Sequence, residues 1–300
     1  LISVIVTTSP GREANLAACL QLLSQQSLPA QEVIVVDDGS VQGQATAQAY
    51  QICLPLQYLW RPNDCSVALS RNLGAQAASG TYLVFLDSDM LLNPNGLAAY
   101  AEAFRDFPQL AFYGYFGYQL ELVGPSFFLP TRQVMWCDRR FDAYHRTGLV
   151  PAYNMIRFPH EWAWSGNFAL SRQVYEQVQG FDSRFRGWGG EDLDFAWRLL
   201  SAGYQLHFFL DAWAEQQTHE RQERFHTWAD TQREVIYQSR YQHANYRVQI
   251  LHSPTAWKQL SHVIFEYYAK TVREWPVHPE FQPVHRPPPE SGPGNAGSKA

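Results

Sequence analysis

The sequence predicts an α/β fold with a mostly parallel central sheet flanked by helices. Apolar β-branched runs of strand length alternate with helical stripes. Two of those runs are apolar without interruption, as strands covered on both faces are. Acidic and hydroxyl residues collect directly after the strands, where open α/β sheets bind ligands. At 300 residues, 46% of them hydrophobic, the chain can bury a sizeable core in one large domain or two small ones.

Leu1-Ile2-Ser3-Val4-Ile5-Val6 reads as the first strand and stops at the turn-forming Thr7-Thr8-Ser9-Pro10-Gly11. Leu16, Cys19, Leu20 and Leu23 fall at i, i+3, i+4 and i+7, an amphipathic helix broken by Pro29. Val33-Ile34-Val35-Val36 is a buried strand ending in Asp37-Asp38-Gly39-Ser40. A helix over about 41–51 leads to a short strand at 56–59, and 67–78 reads as a helix closed by Gly80. Tyr82-Leu83-Val84-Phe85-Leu86 is again a buried strand, ending in Asp87-Ser88-Asp89. From 100 to 165 the pattern loosens into aromatic and glycine-rich stretches. A helix returns at 191–202, with Leu193, Ala196, Trp197 and Leu200 on one face and Gly203 as its stop, followed by a strand at 206–210. Residues 222–275 read as mostly helical, and the Pro- and Gly-rich tail 282–300 as disordered.

Composition excludes several classes. The 23 Lys+Arg against 28 Asp+Glu give a net charge of -5, the wrong balance for gripping nucleic acid or an anionic membrane through basic charge. No apolar window is long enough for a transmembrane helix, and the first residues read as a strand and not as a signal peptide. Four cysteines without CxxC spacing point to a reducing, cytoplasmic compartment. Aromatics reach 15%, which suggests rings lining a binding cleft.

Three clusters carry chemistry. Asp87 and Asp89, two carboxylates at i and i+2 after an apolar strand, can share a divalent cation such as Mn2+ or Mg2+, which favours hard oxygen ligands and bridges to phosphate; an acidic turn is the alternative. Asp37-Asp38-Gly39-Ser40 offers a carboxylate for a base N–H or ribose hydroxyls, and is equally an ordinary strand-to-helix turn. Gly187-Trp188-Gly189-Gly190-Glu191-Asp192-Leu193-Asp194 combines glycines that allow close approach, a Trp face of the kind sugars stack on, and acids at a helix start. Acids there also complement the helix dipole, and Asp194 can pair with Arg198.

With these clusters in this order, residues 1–220 resemble the GT-A-fold glycosyltransferases, family 2 and its relatives. The matching stretches are Val4-Ile5-Val6-Thr7-Thr8, Val36-Asp37-Asp38-Gly39-Ser40, Ser70-Arg71-Asn72-Leu73-Gly74 through Gly80, Phe85-Leu86-Asp87-Ser88-Asp89, and Phe181-Asp182 through Trp188-Gly189-Gly190-Glu191-Asp192. The last is similar to the motif of β-1,4-galactosyltransferases, chondroitin-polymerase-type bacterial enzymes and polypeptide N-acetylgalactosaminyltransferases. The resemblance implies a nucleotide-sugar half (1–99), an acceptor and base half (100–220), a helical extension (221–281) and the tail. It places Thr7 and Thr8 at the nucleotide, Asp38 on the uracil, Arg71 facing base or diphosphate, and Asp87 with Ser88 and Asp89 as the metal-binding DxD, Asp89 being the direct ligand. Trp188, Gly189 and Gly190 fall beside the donor sugar, Asp192 at the catalytic base of inverting members, and Glu191 on acceptor hydroxyls.

The implied reaction is inverting, metal-dependent transfer from a UDP-sugar, with N-acetylhexosamine or galactose as the candidate sugar, to a hydroxyl of a glycan or other acceptor. Relatives carry a metal-binding His after the strand that follows the Glu-Asp helix. An ungapped match puts Gln216 there, and His219 serves as third ligand if the loop shifts by about one turn. Ser9-Pro10 replaces the usual Tyr-Asn, so stacking on the base needs another group. A dinucleotide oxidoreductase is excluded by the lack of GxGxxG after the first strand. A sugar nucleotidyltransferase would open with a glycine-rich activating loop, which Thr7-Thr8-Ser9-Pro10-Gly11-Arg12 is not. The non-enzymatic alternative is a nucleotide-sugar- or glycan-binding relative that has lost catalysis. The aromatic weight of 222–275 suits packing on the catalytic domain or over the acceptor, with peripheral membrane or protein contact as its other use.

Overall fold

The computed structural model describes residues 1–119, 135–136, 138, 155–157, 163–187, 189–217 and 247–251. Its first half is a parallel sheet. β1 (Ile2–Thr8), β2 (Glu32–Asp38), β3 (Leu56–Arg61) and β4 (Tyr82–Asp87) lie in the order β3-β2-β1-β4. The connections carry α1 (Glu13–Ser24), α2 (Gly43–Gln48) and α3 (Val67–Ala77). Every residue of β1 is buried, as is all of β2 after Glu32, which is why Val33-Ile34-Val35-Val36 of β2 reads as an unbroken apolar run.

Beyond β4 the sheet becomes mixed. In chain order follow β5 (Met90–Leu92), α4 (Gly96–Asp106), β6 (Ala111–Gln119), β7 (Met135–Trp136), β8 (Met155–Arg157) and β9 (Asn167–Ser171). Then come α5 (Arg172–Gln177), α6 (Glu191–Ser201), β10 (Leu206–Gln216) and β11 (Arg247–Leu251). β9 runs antiparallel between β4 and β6, while β6, β10 and β11 are mutually parallel in sequence across the sheet. β8 closes the far side antiparallel to β11.

Three expectations are corrected. Residues 247–251, expected within a mostly helical extension, form β11 and belong to the main sheet; the rest of 218–300, the expected disordered tail included, lies outside the described residues. Gly80 does not close α3, which ends in an extended Ala78. Gly80 instead lets β1 approach, since a Cβ there would meet Ser3 Oγ at 2.4 Å. The buried face of α6 is Phe195, Ala196 and Leu199, each at 0% exposure, and not Leu193, Trp197 and Leu200, which stay partly exposed. The Phe195 ring sets that rotation by stacking on Phe181 at 4.3 Å and meeting Phe168 edge-on at 5.6 Å. Asp194 is carried inward with it and is held by Arg198 at 2.7 Å.

Part of the aromatic excess goes into the core: Phe112, Tyr113, Tyr115 and Phe116 are buried in β6 with at most 4% exposure. They help build two aromatic cores. Phe112 packs on Phe104 and Phe209 in the first, and Tyr113 on Phe168 at 4.5 Å in the second. Among the described residues no helix is long and apolar enough to cross a membrane, and Cys19, Cys53 and Cys65 are free thiols.

Candidate active site

The site forms where parallel strands end side by side. The register pairs Thr7 with Asp87 and Thr8 with Asp37, so the tips of β1, β2 and β4 share one edge. The two acids that end β2 divide the work. Asp37 is structural: its Oδ1 accepts the Ser40 amide at 2.8 Å and its Oδ2 the Tyr58 hydroxyl at 2.7 Å. Asp38 turns instead to Arg61, which ends the neighbouring β3 and also donates to Asp64 at 2.5 Å. Burial pushes Asp38 up to about 6, with Arg61 pulling the other way. Thr8 Oγ1 is buried and has no hydrogen-bond partner among the described residues.

Arg71 joins the two halves of the site. It is 3% exposed, and its terminal nitrogens donate to Asp87 Oδ1 and to Glu191 Oε1, each at 2.9 Å. Burial alone would lower its pKa, but the two carboxylates outweigh that and keep it charged. Expected to face base or diphosphate, Arg71 is here the tie between the end of β4 and the start of α6. Thr7 Oγ1 donates to the same Asp87 oxygen at 3.0 Å. The next residue, Asn72, accepts from the Phe181 amide at 2.9 Å and donates to the Phe181 carbonyl at 2.8 Å, so one turn of α3 fixes the loop before α6.

That loop explains the glycines. Gly187, Gly189 and Gly190 have φ of 80°, 83° and 100°, left-handed values that a side chain would oppose. Gly190 is the N-cap of α6, and the turn delivers Glu191 and Asp192 to its first two positions. Glu191 is 4% exposed, and its Oε2 has no hydrogen-bond partner among the described residues. Asp192 keeps part of its surface open and accepts the Leu193 amide at 2.9 Å. Burial and the adjacent Glu191 charge push Asp192 up to about 7, against the pull of Arg71. Trp188 and His219 lie outside the described residues.

Asp89 is reached from the opposite direction. β10 slips register against β6 between Phe209 and Ala214. Buried amides take the carbonyls there: Asn167 donates to Ala212 at 2.7 Å, and Asn93 to Asp211 and Trp213 at 3.1 and 2.9 Å. Beyond the slip β10 pairs antiparallel with β5, Gln216 opposite Met90. Gln216 Nε2 thereby donates to Asp89 Oδ2 at 3.0 Å, and Arg12 stands 3.9 Å from the same oxygen. Sequence reasoning missed Arg12 and Arg61. Arg61 is the last residue of β3 and Arg12 follows the turn after β1, so both are cations near strand tips, which was the available signal.

The chain matches the family model for glycosyl transferase family 2 over residues 3–176 and that for the N-terminal domain of galactosyltransferase over 147–226. It is 29% identical over 259 residues to a validoxylamine A glucosyltransferase of Streptomyces hygroscopicus subsp. limoneus, covering 74% of this chain and 52% of that protein. It is 28% identical over 237 residues to a chondroitin synthase of Escherichia coli, covering 67% and 32%. The chain thus spans about half the length, or less, of these curated relatives. Its fold is similar to GalNAc-T7 solved with UDP, GalNAc and Mn2+, with a TM-score of 0.56 at 15% identity over 73% of this chain and 43% of that one. The parallel strand tips, the Asp87–Asp89 pair and the family model covering more than half its length together make this chain a member of glycosyl transferase family 2.

Proposed function

We propose that this chain is the catalytic domain of a metal-dependent, inverting glycosyltransferase that moves a sugar from a UDP-sugar to a hydroxyl of a glycan or other acceptor. The observation that carries the proposal is the Arg71 bridge. It holds the acid of a nucleotide-side strand, Asp87, next to the helix start that presents Asp192.

On this reading Thr7, Thr8 and Asp38 receive the nucleotide. The Asp38 carboxylate accepts the N–H of the base, and the buried Thr8 hydroxyl supplies a polar group to the same wall. Asp87 and Asp89 fit a Mn2+ or Mg2+ ion by chemistry, being hard carboxylate donors two residues apart at a strand end. The two carboxylates would hold such a cation, whose positive charge would offset the negative charge of the diphosphate. Asp192, held near neutrality, takes the proton of the attacking acceptor hydroxyl. Glu191, tied to Arg71, keeps the start of α6 in place and leaves a second oxygen for acceptor hydroxyls. Attack from the face opposite the diphosphate inverts the anomeric centre. N-acetylhexosamine and galactose are the donor sugars to try first, and the free thiols fit a reducing, cytoplasmic setting.

A donor panel of UDP- and GDP-sugars with Mn2+, read as nucleoside diphosphate release, tests this. UDP release that Asp89→Ala abolishes and Asp192→Asn lowers by about 10²–10⁴-fold supports it. Preference for a GDP-sugar would overturn the role given to Asp38. Tight donor binding without turnover across a broad acceptor panel would mark the chain as a binding relative that has lost catalysis.

A further inference from the structure

We infer that Gln216 is a positioning residue that aims the Asp89 carboxylate for cation binding, an inference that rests on reading Asp87 and Asp89 as the cation site. Asp89 follows β4 in a short turn before β5, where Ser88 N donates to the Thr7 carbonyl at 2.9 Å. The backbone of that turn is fixed, but the carboxylate turns about its own side-chain bonds. Gln216 constrains it. A carboxylate only accepts hydrogen bonds, so the carboxamide must offer its NH2 group, and Nε2 lies 3.0 Å from Oδ2.

The arrangement does not depend on Gln216 for the path of the chain. Gln217 N donates to the Asp89 carbonyl at 2.8 Å, and Gln217 Nε2 to the Asn15 carbonyl at 3.1 Å. Gln216 is also paired by register with Met90. The end of β10 is therefore pinned by groups other than the Gln216 side chain, and the contact with Asp89 is an added constraint. It is also neutral. Arg12, at 3.9 Å from the same oxygen, brings a charge that competes with a cation; the amide orients the oxygen without competing. Partners that orient a ligating carboxylate typically contribute about 10–100-fold to metal affinity.

The test is the affinity for Mn2+ in the presence of UDP, read as loss of the free-ion electron paramagnetic resonance signal, for the parent and Gln216→Met. UDP binding without a cation is measured in parallel and reports an intact fold and nucleotide pocket. We expect Gln216→Met to weaken Mn2+ binding by about 10–100-fold and to leave cation-free UDP binding within about twofold. Unchanged Mn2+ affinity overturns the inference. A parallel loss of both affinities also overturns it, because it makes Gln216 a structural residue. If the parent itself binds no Mn2+ with UDP present, the cation-site reading fails first, and that outcome is distinct from either.

Discussion

Replacing Arg71 with Met strips two carboxylates of the guanidinium they share, and the structure says how unequally they suffer. The Asp87 side chain is 35% exposed, so water re-solvates it and its share of the loss is small. Glu191 is 4% exposed, and its other oxygen already lacks a partner among the described residues. Removing one member of a buried pair costs about 3–5 kcal/mol. Methionine recovers part of the packing against the Phe181 ring, which the guanidinium carbon overlies at 5.2 Å. A net loss of about 3 kcal/mol remains, or roughly 6–10 °C in Tm for a domain of this size.

The loss should trace to the buried carboxylate of Glu191, which would lose the cation beside it. Thermal unfolding by circular dichroism measures the gap between variant and parent. Adding Glu191→Gln should recover more than half of it, since a neutral amide tolerates the site better. A gap below about 1 kcal/mol, or one that Glu191→Gln leaves in place, would refute the buried-pair reasoning.

Two further outcomes follow from the same geometry. With Asp192 pushed up to about 7, kcat/KM should rise with pH along an acid limb centred near that value; a rate flat from pH 5.5 to 8 would remove Asp192 from the role of base. Asn167→Ala takes the Tyr100 hydroxyl and the Ala212 carbonyl from their buried partner, an expected cost of about 2–4 kcal/mol by denaturant unfolding, and a loss under 0.5 kcal/mol would mean water replaces both bonds.

What was legible in the sequence followed the strength of the local signal. β2 and β4 and their terminal acids were readable because unbroken apolar runs have one common explanation, a strand covered on both faces. The burial of the aromatic run in β6 was not legible because composition does not say which face a ring takes, and the pairing with β9 and β10 buries it. The α6 face was misjudged because the stripe through Leu193 and Trp197 competes with the one through Phe195 and Leu199. Tertiary ring packing decided between them. Asp38 was singled out in the sequence but its partner Arg61 was not, since sequence places them 23 residues apart and only the parallel register makes them neighbours.

The same long-range closure sets how the two halves of the site influence each other. Asp87, Glu191 and Asp192 are three acids gathered around one buried guanidinium, and Arg71 spends both terminal nitrogens on the first two. Asp192 therefore feels the positive charge only at a distance, while the charges of Glu191 and Asp87 raise it. Negative charge arriving beside Asp87 would strengthen Asp192 as a base, and positive charge would weaken it. On the proposed function, a donor diphosphate and a divalent cation would bring the two in nearly equal amount. The basicity of Asp192 would then be preserved with both present and displaced with either alone, which ties the proposed proton transfer at α6 to the charge balance at the end of β4.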